Sequence, residues 1–229
     1  MHLQLIHEDD HLLVLDKPAG LLAVPGRGAD KKDCLSTRAL ERWSDALIVH
    51  RLDMATSGLM LMARGLQMQR VLSEAFAARQ IHKRYAAVVD GLLTPALTQD
   101  GWGVIDLPII VDWPHRPLRI IDMERGKPST TRWHVVSHDA RANTTRLELE
   151  PVTGRSHQLR VHLKAIGHTI LGDALYGASA TQAAEAADAA KGEQGEQGVS
   201  PRLLLHACAL GLTHPATGAP LHFESPVPF

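Results

Sequence analysis

The apolar run Leu59-Met60-Leu61-Met62-Ala63, entered directly from Thr56-Ser57-Gly58, constrains the fold of this chain most. Five consecutive apolar residues bounded by a Ser-Gly turn read as a buried strand. The residues just before the turn are His50-Arg51-Leu52-Asp53. Asp53 is therefore expected on a loop held by a rigid strand, which is where chemistry is usually placed.

Other elements follow from pattern. Leu3 to Ile6 and Leu12 to Leu15 read as strands around a turn at Glu8-Asp9-Asp10, and Lys17-Pro18-Ala19-Gly20 breaks the second. Leu35 to Trp43 suits a short helix with Asp33 as its N-cap. Met68, Val71, Leu72, Ala75 and Phe76 recur at helical spacing and predict one apolar face. The cations Arg79, His82, Lys83 and Arg84 would then sit at that helix's C-terminus, where they suit the macrodipole. Tyr85 to Val89 reads as a strand. Trp113-Pro114-His115-Arg116-Pro117 cannot be a central strand, because proline donates nothing to a ladder. Arg132 to Val136 and Thr145 to Leu149 read as paired strands, and Ser156 as the N-cap of a helix ending at Gly167. The Ala-, Gly-, Gln- and Glu-rich segment 177–200 reads as a low-complexity surface insertion. The end returns to strands at Leu203 to Leu210 and Leu221 to Phe223. Strands and helices mix without regular alternation, which predicts an α+β fold rather than a doubly wound parallel sheet.

Composition excludes several functions. A net charge of -1 over 229 residues announces no global basic field, so any nucleic-acid site must rest on local clusters. Cys34 and Cys208 form no CxxC pair and suit packing thiols in a reduced, cytosolic chain. The 14 histidines are scattered and form no metal motif, so no metal is expected. No apolar run approaches the ~18 residues that argue a membrane span.

Arg51 lies two residues before Asp53, and Gly154-Arg155-Ser156-His157-Gln158-Leu159-Arg160 supplies further cations. An arginine within ~4–6 Å lowers a carboxylate pKa and keeps it ionised. An ionised, oriented aspartate is a nucleophile or a general base.

His50-Arg51-Leu52-Asp53, two residues, then Ser57-Gly58 resembles the catalytic motif of the RluA-type pseudouridine synthases. The likeness covers nearly the whole chain. Glu8 to Gly20 looks like that family's opening motif, and Lys83-Arg84-Tyr85 through Asp90-Gly91 like its tyrosine motif. Gly154 to Arg160, with Gly167-His168 and Leu171 to Tyr176, looks like its arginine motif. Leu203 to Ala207 and His214-Pro215 look like its C-terminal motif.

The resemblance implies a mixed, mainly antiparallel central sheet with flanking helices and a central RNA-binding cleft. It implies one catalytic domain over 1–229, with no separate N-terminal RNA-binding domain. The reaction implied detaches a flipped-out uracil from its ribose, rotates it and rejoins it through carbon, with no cofactor. Asp53 would drive the cleavage, Tyr85 would stack on the uracil, and Arg155 would orient and ionise Asp53. Arg51 would hold the flipped nucleotide, and Leu159 would wall the uracil pocket. Separately from the resemblance, local charge forms three basic clusters, Arg79 with Lys83 and Arg84, Arg116 with Arg119, Arg125, Lys127 and Arg132, and Arg155 with Arg160 and Lys164, and Arg84, Arg116 and Arg160 are expected to contact RNA from them. The short form resembles the family's dual-specificity branch, which acts on large-subunit ribosomal RNA and on the tRNA anticodon arm. A cytoplasmic monomer is expected. Two other readings remain: an RNA-binding module or chaperone without catalysis, and a hydrolase with an aspartate nucleophile.

Overall fold

Ser57–Arg64 forms a strand, β4, whose residues through Ala63 are all buried. The run is continuously apolar because both faces are covered. Met60 and Met62 pack with Leu13, Leu15, Leu35 and Trp43 in one core cluster. Leu59, Leu61 and Ala63 pack with Leu12, Val14, Leu72 and Leu210 in another.

The computed structural model describes residues 3–26, 28, 32–177 and 202–229. Apart from Gly177, the segment read as a surface insertion lies outside the described residues. The chain divides into two compact units, the first Met1–Tyr85 with His206–Phe229, the second Ala86–Leu205.

Unit 1 holds β1 (Gln4–Glu8), β2 (Leu12–Lys17), α1 (Leu35–Arg42), β3 (Ala46–Ile48), β4 and α2 (Gly65–Ala77). It also holds the start of β5 (His82–Asp90), nearly all of β11 (Leu205–Thr213), and β12 (Pro220–Glu224). The strand order is β1-β2-β4-β11-β5, with β3 on β4 and β12 on β11. β4 runs parallel to β11 and antiparallel to β2 and β3. Helices α1 and α2 contribute to different clusters, α1 through Leu35 and Ala39, α2 through Leu72, Met68 and Phe76.

Unit 2 continues β5 and adds β6 (Gly103–Asp106), β7 (Ile109–Val111), β8 (Arg119–Ile121), β9 (Thr130–Asp139), β10 (Thr144–Pro151) and α3 (Gln158–Ala165). The order is β5-β10-β9-β6, with β7 and β8 a separate antiparallel pair. β10 alternates buried and half-buried residues. Val161 of α3 packs with Ile109 and Tyr176. The α+β expectation of a mixed, mainly antiparallel sheet holds. Among the described residues no helix is long and apolar enough to cross a membrane.

Several local expectations need correction. The cap of α1 is Cys34, whose sulfur accepts from Thr37 N, while Asp33 bonds Arg38 instead. Val71 is exposed and outside the apolar face of α2. That helix stops at Ala77, so His82, Lys83 and Arg84 belong to β5 and not to a helix terminus. The residue before α3 is His157, not Ser156; it takes a left-handed φ of 58° and offers no side-chain cap. Trp113 to Pro117 forms the connection between β7 and β8, consistent with its prolines.

Candidate active site

The Asp53 loop runs from the end of β3 to the start of β4, and both ends are held. Upstream, His50 Nε2 accepts from Leu61 N at 2.9 Å, and its ring stacks on Phe76 at 4.5 Å. Burial first, and then the Lys83 charge, push its pKa down to about 3. It is therefore a neutral acceptor at physiological pH, a structural anchor rather than an acid or base.

In mid-loop, Thr56 N donates to Asp53 O at 3.1 Å and closes a turn around the carboxylate. The Met54 carbonyl accepts from Gly20 N at 2.8 Å and from Lys17 Nζ at 3.1 Å. Lys17 is wholly buried and also donates to the carbonyls of Pro18 and Leu21. It lies opposite Gly58 in the β2–β4 register, which places its amine under the loop. Burial lowers the Lys17 pKa to about 8, and the charges of Asp53 and Asp16 oppose that fall. Sequence reasoning missed this role, although the Lys-Pro break after β2 marked the position.

Downstream, Gly58 has φ +113°, and a Cβ there would stand 2.3 Å from Ala207 O. Backbone approach this close needs glycine. Gly58→Ala is expected to cost about 1–3 kcal/mol through strain and overpacking, read by urea unfolding.

Tyr85 lies on β5 in the same unit. Its hydroxyl is held well above the ordinary tyrosine range, first by burial, then by the charges of Asp53 and Cys208. The Asp53 charge therefore reaches the Tyr85 hydroxyl. The residue as a whole is half-buried, so the hydroxyl is desolvated while part of the side chain still meets solvent.

Arg155 belongs to unit 2 and is exposed; its guanidinium reaches Pro128 O at 3.4 Å. The turn carrying it is fixed by Gln158, another residue sequence reasoning missed. The buried Gln158 amide accepts from Arg155 N and Thr153 Oγ1 and donates to Thr130 O and Thr131 Oγ1. An amide that satisfies four partners defines one backbone path.

The remaining site residues separate by environment. Arg51 is exposed beside Asp53, and Arg84 is half-buried on β5. Arg116 is exposed, its guanidinium 4.4 Å above the ring of Trp113, which is also exposed. Leu159 is buried in α3. The expectation that Arg160 contacts RNA needs correction: it is buried and makes a bidentate pair with Asp173, both bonds 2.7 Å. Arg125 is likewise held by Asp122, and Arg132 by Asp100 and Glu150. The dense basic clusters of the sequence are thus partly neutralised by neighbouring carboxylates.

An aspartate on a doubly anchored loop, its charge reaching a desolvated tyrosine, has the chemistry for nucleophilic attack or proton removal. The chain belongs to the RNA pseudouridylate synthase family, whose model matches residues 11–165, and it is an RNA pseudouridine synthase. It is 44% identical over 227 residues to the dual-specificity RNA pseudouridine synthase RluA of Escherichia coli (strain K12), covering 99% of this chain and 94% of that one. The protein of the same name from Yersinia pestis is 42% identical over 224 residues, 98% of each chain. Among solved structures, human RNA pseudouridylate synthase domain containing 1 matches with a TM-score of 0.74 and 25% identity, over 100% of this chain and 84% of that chain. These likenesses do not favour an RNA-binding module without catalysis.

Proposed function

We propose that this chain isomerises uridines in stem-loops of both large-subunit ribosomal RNA and the tRNA anticodon arm. Residues 1–229 act as a single catalytic domain, working as a cytoplasmic monomer. Asp53 drives cleavage of the bond between uracil and ribose, and the base is rejoined through carbon. The product has the composition of the substrate, so the reaction requires no net redox change. Tyr85 stacks on the uracil, and its hydroxyl, neutral near pH 7, is available as a proton donor. Arg155 is the cation of the arginine motif, and Arg51 holds the flipped nucleotide. Arg116 with Trp113 offers RNA an exposed planar cation over an aromatic face.

The observation that carries this reading is the charge of Asp53, on a loop held by Lys17, acting on the desolvated Tyr85 hydroxyl of β5. Flipping a base out of its stack costs a few kcal/mol. Stacking on an aromatic ring returns about 1–3 kcal/mol per base, so a tyrosine beside the carboxylate offsets much of that cost.

The test is nucleotide-resolution mapping of pseudouridine made by the purified protein on total RNA from cells lacking the gene. One new site in a large-subunit ribosomal loop and one in a tRNA anticodon arm are expected. Modification of only one RNA class would remove the dual specificity. Release of free uracil would instead indicate a hydrolase.

A further inference from the structure

Unit 1 contains a buried polar chain that the reaction as described does not use. Ser57 Oγ lies 2.9 Å from His206 Nδ1, and His206 Nε2 lies 3.0 Å from Ser225 Oγ. Ser225 Oγ donates in turn to Asp16 Oδ2. Ser57, His206 and Ser225 are each at most 4% exposed. The four residues are remote in sequence, and β2, β4, β11 and the segment after β12 bring them together.

With a neutral imidazole at His206, donor and acceptor chemistry sets the direction of each bond. An ionised carboxylate only accepts, so the Ser225 hydroxyl donates to Asp16. Ser225 Oγ then accepts from His206 Nε2–H. That tautomer leaves Nδ1 with a lone pair, so the Ser57 hydroxyl donates to it. The chain therefore runs one way, from Ser57 to Asp16, and each link selects the proton position of the next.

Both ends bear on the Asp53 loop. Ser57 opens β4 and follows the turn closed between Asp53 and Thr56. It also pairs with His206 in the parallel β4–β11 register, beside the close approach of Gly58 to Ala207. At the other end, Asp16 adjoins Lys17, which grips the loop at Met54 O. Adjacent residues of β2 thus reach the loop by two routes, one direct and one through three side chains.

We propose that Asp16, Ser225, His206 and Ser57 form a positioning relay that holds the Asp53 loop in its reactive geometry. The inference rests on the reading of Asp53 as the residue that drives cleavage. His206 touches neither substrate nor reacting atoms; it acts through Ser57. A relay of this kind changes turnover and not RNA capture, because displacing a reacting group by about 1 Å costs on the order of 100-fold in rate.

The experiment compares wild type, Ser57→Ala, Ser225→Ala, Ser225→Thr and the Ser57→Ala/Ser225→Ala double variant. Single-turnover pseudouridine formation and dissociation constants are measured on one stem-loop that the wild type modifies. Each alanine variant is expected to slow turnover about 10–100-fold, as losses of supporting partners around a site do. Its RNA affinity should stay within about twofold. Ser225→Thr, which keeps the hydroxyl, should restore most of the rate. The double variant should be no slower than the slower single, because both cut the same chain. Alanine variants that fold and turn over like wild type overturn the relay, as does a rate loss that threonine does not rescue. If Ser57→Ala fails to fold, Ser225→Ala, two links from the loop, decides alone. Wild-type protein that makes no pseudouridine defeats the functional reading itself, an outcome visible before any variant is compared.

Discussion

Asp53→Asn is expected to lower pseudouridine formation by at least about 10⁴-fold, the scale seen when a group that acts on the reacting atoms is removed. RNA binding should stay within about threefold. The separation follows from how the loop is held. Its anchors use the main chain at positions 53 and 54: Thr56 N on Asp53 O, and Gly20 N and Lys17 Nζ on Met54 O. These anchors use main-chain atoms, so a near-isosteric amide keeps them while removing the carboxylate charge. The substitution also has an electrostatic signature independent of turnover. The Asp53 charge raises both the Tyr85 hydroxyl and the Lys17 amine. Without it both pKa values fall, Lys17 to below about 8. With only two tyrosines in the chain, Tyr85 and Tyr176, ultraviolet titration can follow the first shift. Full turnover in folded Asp53→Asn would remove Asp53 from the chemistry.

The fold was most legible where one period dominates. Leu59 to Ala63 announced a strand covered on both faces, and the β9–β10 pair was visible from alternation at Thr145, Leu147 and Leu149. Local rules failed where a distant or unusual partner won. Asp33 is the better N-cap by type, yet Arg38 takes it and the sulfur of Cys34 fills the place. Arg160 is indistinguishable in sequence from a surface cation, because only the folded chain brings Asp173 against it. The site divides in the same way. Asp53 and Tyr85 lie in short contiguous motifs, so the family resemblance singles them out in the sequence. The ammonium of Lys17 under Met54, the Gln158 hub and the imidazole of His206 are defined by bonds spanning tens to hundreds of residues, and no local pattern encodes those.

Asp173→Ala is expected to destabilise the protein by about 3–5 kcal/mol, the usual consequence of stranding one member of a buried ion pair. Arg160 and Asp173 are 5% and 0% exposed and joined by two parallel bonds, so water cannot replace the lost carboxylate without opening the core. Asp173 Oδ1 also accepts from Leu175 N and Tyr176 N and thereby shapes the turn that carries Tyr176. The Tyr176 hydroxyl in turn meets Arg119 N and His157 Nδ1, the latter just before α3. Loss of the carboxylate should therefore loosen the entry to α3 as well as strand a charge. At about 2–4 °C per kcal/mol for a chain of this size, the melting temperature should fall by about 10 °C. Arg160→Met in the same background should recover much of the loss, because removing both charges removes the desolvation penalty of each. The pair of variants also tests the correction made for Arg160. A guanidinium committed to Asp173 neutralises no phosphate, so the salt dependence of RNA binding should keep its slope when Arg160 is replaced. A slope lower by about one unit would return Arg160 to the RNA surface.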